Sequence, residues 1–194
     1  MELTDRFSEA LTYTFDLHRE QKRKGTEIPY AGHLLEVAGI VIDYGGSEDE
    51  AIAALLHDAI EDQGGAKTRE EIRNLFGENV TRIVEGCTDT DEYPKPPWKD
   101  RKEAYLKHIA HAEPSVILVS AADKLHNVRA ILKDYRVEGE SLWNRFNGGK
   151  DGTLWYHREL VKAYRRACDL PIIDELDGAV SELERIGGEN QTLR

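Results

Sequence analysis

No stretch of this chain approaches the roughly 18 uninterrupted apolar residues of a membrane span, so a bilayer helix is not expected. The opening Met1-Glu2-Leu3-Thr4-Asp5 is acidic and lacks the pattern of a secretory leader. Cysteine is scarce. The two present, Cys87 and Cys168, stand far apart in helix-like contexts and read as buried thiols, which excludes a disulfide framework and points to a reducing cytoplasm. Positive charge is also short: 26 Lys and Arg against 37 Asp and Glu leave a formal net charge of -11, which disfavours nucleic acid as a partner. Strand-type alternation is missing, and so are internal repeats, low-complexity tracts and dividing linkers. With 194 residues, the chain is expected to be a single all-α domain over 1–194, a compact helical bundle.

What is present is helical periodicity. Leu3, Phe7, Ala10, Leu11, Thr14, Phe15 and Leu17 predict a first helix from Leu3 to Lys24, stopped by Gly25. A second is expected over His33 to Tyr44. Ser47-Glu48-Asp49-Glu50 is a capping box that opens a third, running through His57 to Asp62. Thr68-Arg69-Glu70-Glu71 predicts another capped start, for a helix ending at Phe76-Gly77. Helices are further expected over Glu78–Cys87, Trp98–His111, Val116–Lys133, Thr153–Ala167 and Ile172–Ile186. The segment Thr88–Lys99, with Pro94, Pro96 and Pro97, is expected to be a loop, as is Gly148–Gly152. The core of the fold is placed at about 3–170, and the tail Gly187–Arg194 is expected to fray.

One segment stands out chemically. His57, Asp58, Glu61 and Asp62 follow directly on the apolar run Ala51–Leu56. On a continuous helix, His57 and Glu61 lie one turn apart, as do Asp58 and Asp62, so all four share one face. Burying such a cluster without partners costs several kcal/mol per charge, and a bound cation is the natural compensation. Mixed imidazole and carboxylate donors suit a hard-to-borderline divalent ion. Asp123 raises the same question, because it sits in the apolar run Val116–Ala122, where an isolated carboxylate is costly. Glu61 and Asp62 end a helix, where the dipole disfavours them. His33 by itself reads as a satisfied core histidine. Lys22-Arg23-Lys24 has a plain explanation too, as basic residues in a last helical turn.

Taken together, these residues resemble a known family. His33, then His57-Asp58, then Asp123 is similar to the ligand order of the HD superfamily of metal-dependent phosphohydrolases. Lys22-Arg23-Lys24 before His33, the Glu61-Asp62 pair, Thr88-Asp89 followed by Lys95, and Asp123-Lys124-Leu125-x-Asn127 resemble the hydrolase domain of RelA/SpoT homologues, of the small stand-alone type. The resemblance implies one divalent ion, usually manganese, on His33, His57, Asp58 and Asp123. It also implies that Glu61 and Asp62 position the attacking water and manage its proton. Arg23, Lys24 and Lys95 would neutralise phosphate, and Asn127 would contact the nucleoside or steady the ligands. The implied substrate is a guanosine nucleotide with a 3′-diphosphate, hydrolysed to GDP or GTP and pyrophosphate.

The chain departs from the family pattern where Leu34 follows His33 in place of the common proline, and where the loop from Lys24 to Pro29 is shorter. No synthetase domain is expected beside the site. The alternatives on the same residues are an NADPH phosphatase, an adenosine-type alarmone hydrolase or a nucleotide pyrophosphatase. A non-catalytic nucleotide sensor is a further alternative, against which the Glu61-Asp62 pair argues. His108, His111, His126 and His157 match no ligand position and are expected at the surface or behind the ligands. Trp155 and Tyr156 are expected to pack.

Overall fold

The computed structural model of the chain describes residues 1–90, 92 and 94–189. Among the described residues ten α-helices follow in order: α1 Asp5–Leu17, α2 Ala31–Asp43, α3 Glu48–Leu56, α4 Ala59–Asp62, α5 Ala66–Phe76, α6 Glu78–Cys87, α7 Trp98–Ile109, α8 Pro114–Glu138, α9 Gly149–Ala167 and α10 Pro171–Glu189. A 3₁₀ turn over Gly139–Arg145 links α8 to α9. No strand occurs among the described residues, only an isolated antiparallel bridge between Lys22 and Pro29.

Helix α8 is the axis of the fold, touching α2, α3, α6, α9 and α10. Every residue from Val116 to Asp123 is buried, which is why that stretch carries no polar face. Pro114 opens it, where a missing N–H costs nothing. Fully buried side chains such as Ile117 and Leu125 each contribute about 2 kcal/mol relative to exposure. The Ser47 capping box forms as expected: the Ser47 N–H donates to Glu50 at 2.6 Å and the Glu50 N–H to the Ser47 hydroxyl at 3.3 Å.

Several boundaries differ from expectation. Helix α1 stops at Leu17, not Lys24. Beyond Leu17 the residues 19–24 are all polar, so no apolar face remains to reward helix propagation. The backbone instead pairs across a loop: the Arg23 N–H donates to the Ile28 carbonyl at 2.8 Å and the Tyr30 N–H to the Gln21 carbonyl at 2.9 Å. Gly25, at φ +73°, takes the left-handed conformation that this reversal needs. The basic run therefore lies on a loop, and the helix-dipole explanation for it lapses.

The third predicted helix is broken at His57-Asp58 into α3 and α4. His57 Nδ1 lies 2.8 Å from the Ala54 carbonyl, the oxygen a continuing helix would offer to the backbone of Asp58. Helix α5 starts at Ala66, with Gly65 at φ +57° as its cap. Thr68 does not cap it, because its hydroxyl donates back to the Gln63 carbonyl at 2.6 Å. Residues 149–152 are helical, not a loop. The glycines there serve close packing: a Cβ on Gly148 would sit 2.6 Å from the Trp98 indole, and one on Gly152 3.1 Å from it. Helix α8 runs on to Glu138, and α10 to Glu189. The remainder of the expected frayed tail, 190–194, lies outside the described residues. Cys87 and Cys168 are free and only half-buried, since each sits at a helix end and not mid-core.

Candidate functional site

Three parts of the fold converge on one point. Helix α2 carries His33 in its first turn, the α3–α4 break carries His57 and Asp58, and the middle of α8 carries Asp123. His33 Nε2 stands 3.3 Å from His57 Nε2, and His57 Nε2 3.1 Å from Asp58 Oδ2. Asp123 Oδ1 lies 3.3 Å from His33 Nε2 and 3.6 Å from His57 Nε2. One donor atom each from His33, His57 and Asp58 falls within a span of 4.8 Å, a grouping able to hold a metal ion.

Neighbouring groups hold each of these side chains. His57 Nδ1 is engaged by Ala54, and His33 Nδ1 lies 2.7 Å from His126 Nδ1. The Tyr30 hydroxyl donates to Asp58, while the Lys124 ammonium and, at 2.5 Å, the Asn127 amide both donate to Asp123. Both Nε2 atoms are thereby turned inward. Such backing is what fixes ring orientation and donor basicity at metal sites.

The electrostatics fit a cation. Burial pushes the His33 imidazole down to about 4, leaving it neutral, as a ligand must be. Burial pulls on His57 as well, but Asp58 and Asp123 outweigh it and hold its proton well above the usual range. Burial raises Asp123, yet Lys124 and the two histidines outweigh that and hold the carboxyl well below its ordinary value. The cluster attracts positive charge and keeps its carboxylates ionised. Two imidazoles and two carboxylates are a donor set for a borderline divalent ion.

Because the helix breaks at His57-Asp58, Glu61 and Asp62 sit on the separate short helix α4. Glu61 accepts from Lys95 Nζ at 2.8 Å and from the Asp89 backbone N–H at 3.3 Å. Asp62 accepts from the Gln21 amide at 2.9 Å, and Lys95 stands 3.8 Å from its other oxygen. Burial and the neighbouring charge of Asp58 raise the Asp62 carboxyl.

A cavity of about 480 Å³ opens beside His33. Of the expected substrate residues, Arg23, Lys24 and Asn127 line it, whereas Lys95 does not and is engaged by Glu61 instead. Arg23 donates to Asn127 at 2.9 Å, and Lys24 to Asn147 at 3.0 Å across the mouth. Lys22 turns away to Glu27. Arg101, Lys102, Lys124 and Arg145 complete a cationic wall that sequence reasoning missed. Charged residues at helical spacing look like any solvated helix face, so only the fold distinguishes them. Thr88-Asp89 does have a role here: Asp89 pairs with Arg101 and Lys102.

His126 and His157 lie buried behind and beside the site, and both line the cavity. His111 is exposed, and His108 Nε2 lies 3.2 Å from the Gly86 carbonyl. Trp155 and Tyr156 pack edge-on against Trp98 at centroid distances of 6.2 and 6.3 Å, with Tyr156 also facing the cavity.

Residues 10–154, which carry His33, His57-Asp58 and Asp123, match the HD domain family. The chain belongs to the HD domain family. Over 124 residues it is 42% identical to guanosine-3′,5′-bis(diphosphate) 3′-pyrophosphohydrolase MESH1 of Xenopus tropicalis, and 39% identical to the Homo sapiens protein of that name. The matched segment is 62% of this chain and 66% of each of these curated relatives, just under two thirds of their length. A solved structure of a metazoan ortholog of SpoT that hydrolyzes ppGpp is similar with a TM-score of 0.77 and 27% identity, over 97% of this chain and 98% of that one.

Proposed function

We propose that this chain is a metal-dependent hydrolase of guanosine 3′-diphosphate alarmones, releasing pyrophosphate and leaving GDP or GTP. The observation that carries the reading is the junction of an inward-facing His33–His57–Asp58–Asp123 cluster with a cationic cavity in a chain of net charge -11. The likeness to relatives with that named activity supports the same substrate. His33, His57, Asp58 and Asp123 would hold one divalent ion, manganese in this reading. When bound, such an ion supplies Lewis acidity and lowers the pKa of water. Ion binding would displace the His57 proton, so affinity rises with pH.

The chain's own residues do the rest. Asp62, with its raised carboxyl, takes the proton of the attacking water. Glu61, clamped by Lys95 and the Asp89 N–H, orients it. Water adds to the phosphorus borne by the ribose 3′ oxygen, the P–O3′ bond breaks, and the 3′ oxygen takes up the proton that Asp62 accepted, giving a free 3′ hydroxyl and pyrophosphate. Arg23, Lys24, Arg101 and Lys102 neutralise phosphate charge. Burial and the neighbouring Lys124 push the Lys102 ammonium down, a strain that an anionic ligand relieves. Asn127, between Arg23 and Asp123, couples the nucleotide side of the cavity to the metal side. The whole of 1–194 acts as one hydrolase domain, and the free thiols Cys87 and Cys168 suit a reducing cytoplasm.

The test is a substrate panel with manganese present: guanosine tetraphosphate, its adenosine counterpart, NADPH and simple nucleotides, with phosphate and pyrophosphate detected separately. Pyrophosphate release from guanosine tetraphosphate is the expected result. Phosphate release from NADPH alone, or turnover of nucleoside triphosphates alone, would assign the site to another phosphohydrolase.

A further inference from the structure

The end of α1 at Leu17 leaves the following loop to do something a longer helix could not. Its Gln21 side chain reaches the Asp62 carboxylate. The Gln21 amide nitrogen donates to Asp62 Oδ2 at 2.9 Å. The Gln21 amide oxygen accepts from Gln63 Nε2 at 2.6 Å and faces His18 Nδ1 at 2.6 Å. These contacts fix which way the amide points. A flipped amide would aim an oxygen at a carboxylate and an NH₂ group at two donors. The same contacts make His18 Nδ1 the protonated nitrogen. His18 is 1% exposed, and its Nε2 is buried without a hydrogen-bond partner. A buried polar atom left in that state is retained at a cost, which marks the ring as placed for its other nitrogen.

The loop does not need this side chain to hold its shape. Backbone bonds from Arg23 to Ile28 and from Tyr30 to Gln21 already close it. The second of these ties Gln21 to Tyr30, whose hydroxyl donates to Asp58. One loop residue is thus connected to Asp62 through its side chain and to Asp58 through its backbone.

We propose that Gln21, locked by His18 and Gln63, is a positioning residue that fixes the Asp62 carboxylate for its work on the attacking water. The inference rests on the hydrolase reading above. A bond from a neutral amide to a carboxylate is charge-assisted and directional. It engages Oδ2, so that Oδ1 is the oxygen left to take the proton of the attacking water. Displacement of a catalytic group by about 1 Å can cost on the order of 10²-fold in rate.

The discriminating variants are Gln21→Glu and Gln21→Leu. Glutamate keeps the volume and the oxygen that accepts from Gln63 and His18, but replaces the donation to Asp62 by a second carboxylate that repels it, whereas leucine removes the donor without adding charge. A purely structural role therefore predicts that Gln21→Leu, once folded, turns over as wild type. The positioning role predicts that both variants lose about 10- to 100-fold in kcat on guanosine tetraphosphate with manganese, with KM changed less than about 3-fold and metal content intact. In an Asp62→Asn background the same Gln21 changes should add no further loss. Wild-type kcat in a folded Gln21→Leu, a rise in KM alone, or losses that multiply with Asp62→Asn would each overturn the proposal. Crystal structures of the manganese-loaded wild type and of Gln21→Leu read the same point without turnover. The proposal requires the Asp62 carboxylate to rotate away in the variant, and an unmoved carboxylate rejects it even if the substrate proves to be a different phosphate compound.

Discussion

Replacing Asp123 by alanine is expected to remove the metal site and destabilise the fold together, whereas Asp58→Ala removes the site at little cost to the fold. The Asp123 side chain is 7% exposed and pairs with Lys124, itself only 16% exposed. Truncating Asp123 strands that ammonium and leaves the Asn127 amide without its acceptor, while His57 keeps Asp58 at 3.1 Å. Breaking a buried pair by removing one partner costs about 3–5 kcal/mol. Lys124 borders the cavity, so some water reaches it and the lower end applies, about 3 kcal/mol. Asp58 is 22% exposed, and its partners are a tyrosine hydroxyl and a histidine that can release its proton, so its loss costs about 1 kcal/mol. For a chain of this size each kcal/mol moves Tm by about 2–4 °C. Thermal melts in chelator should therefore fall by about 6–12 °C for Asp123→Ala and about 2–4 °C for Asp58→Ala. Adding Lys124→Met to Asp123→Ala should recover more than half of the larger loss, because the stranded charge has gone. Equal losses in the two single variants, or no recovery in the double variant, would refute the reasoning. Both single variants should also lose hydrolysis and manganese, and full occupancy by elemental analysis in either would remove that residue from the ligand set.

Glu61→Gln and Asp62→Asn should keep the metal yet lose about 10²-fold or more in turnover, as removal of general acid–base assistance does. Near-normal rates in both would place the proton elsewhere. Arg23→Ala should raise KM for guanosine tetraphosphate far more than for a simple phosphate ester, with a steeper salt dependence in the wild type. Equal losses on both substrates would confine Arg23 to holding Asn127. Away from the site, the side-chain bond from Arg158 and then that from Arg165 lower the Asp177 carboxyl. A carboxylate depressed by folding stabilises above its unfolded pKa, about 3.9, and loses that contribution as pH falls through its folded value. Asp177→Asn should thus lower Tm at neutral pH, by an amount that shrinks as pH drops below about 4. A gap that stays constant with pH would show that the pairing between α9 and α10 contributes nothing.

Much of this protein can be read without its structure. The 3.6-residue apolar rhythm and the glycine and proline stops mark most helices, because those signals are local. Asp123 in the apolar run Val116–Ala122 and His57-Asp58 after Ala51–Leu56 announce buried charge needing a partner, and burial of charge is costly wherever the chain folds. The order of His33, His57-Asp58 and Asp123 adds the family. What the chain alone does not reveal depends on contacts between distant segments. Whether α1 continues past Leu17 is decided by the pairing of 21–23 with 28–30, which outweighs the good intrinsic helix propensity of Arg19–Lys24 because that run has no apolar face to bury. The break at His57-Asp58, which puts Glu61 and Asp62 on a separate short helix, arises from one side chain taking up a backbone carbonyl. The glycines at 148 and 152 look like a loop until the Trp98 ring is laid against them. The cationic wall of Arg101, Lys102, Lys124 and Arg145 comes from α7, α8 and the turn before α9, and nothing local distinguishes those residues from solvated charge. Periodicity and composition report how each segment meets water. Only the tertiary structure decides which segments meet each other, and both the cavity and the Gln21 contact to Asp62 exist only there.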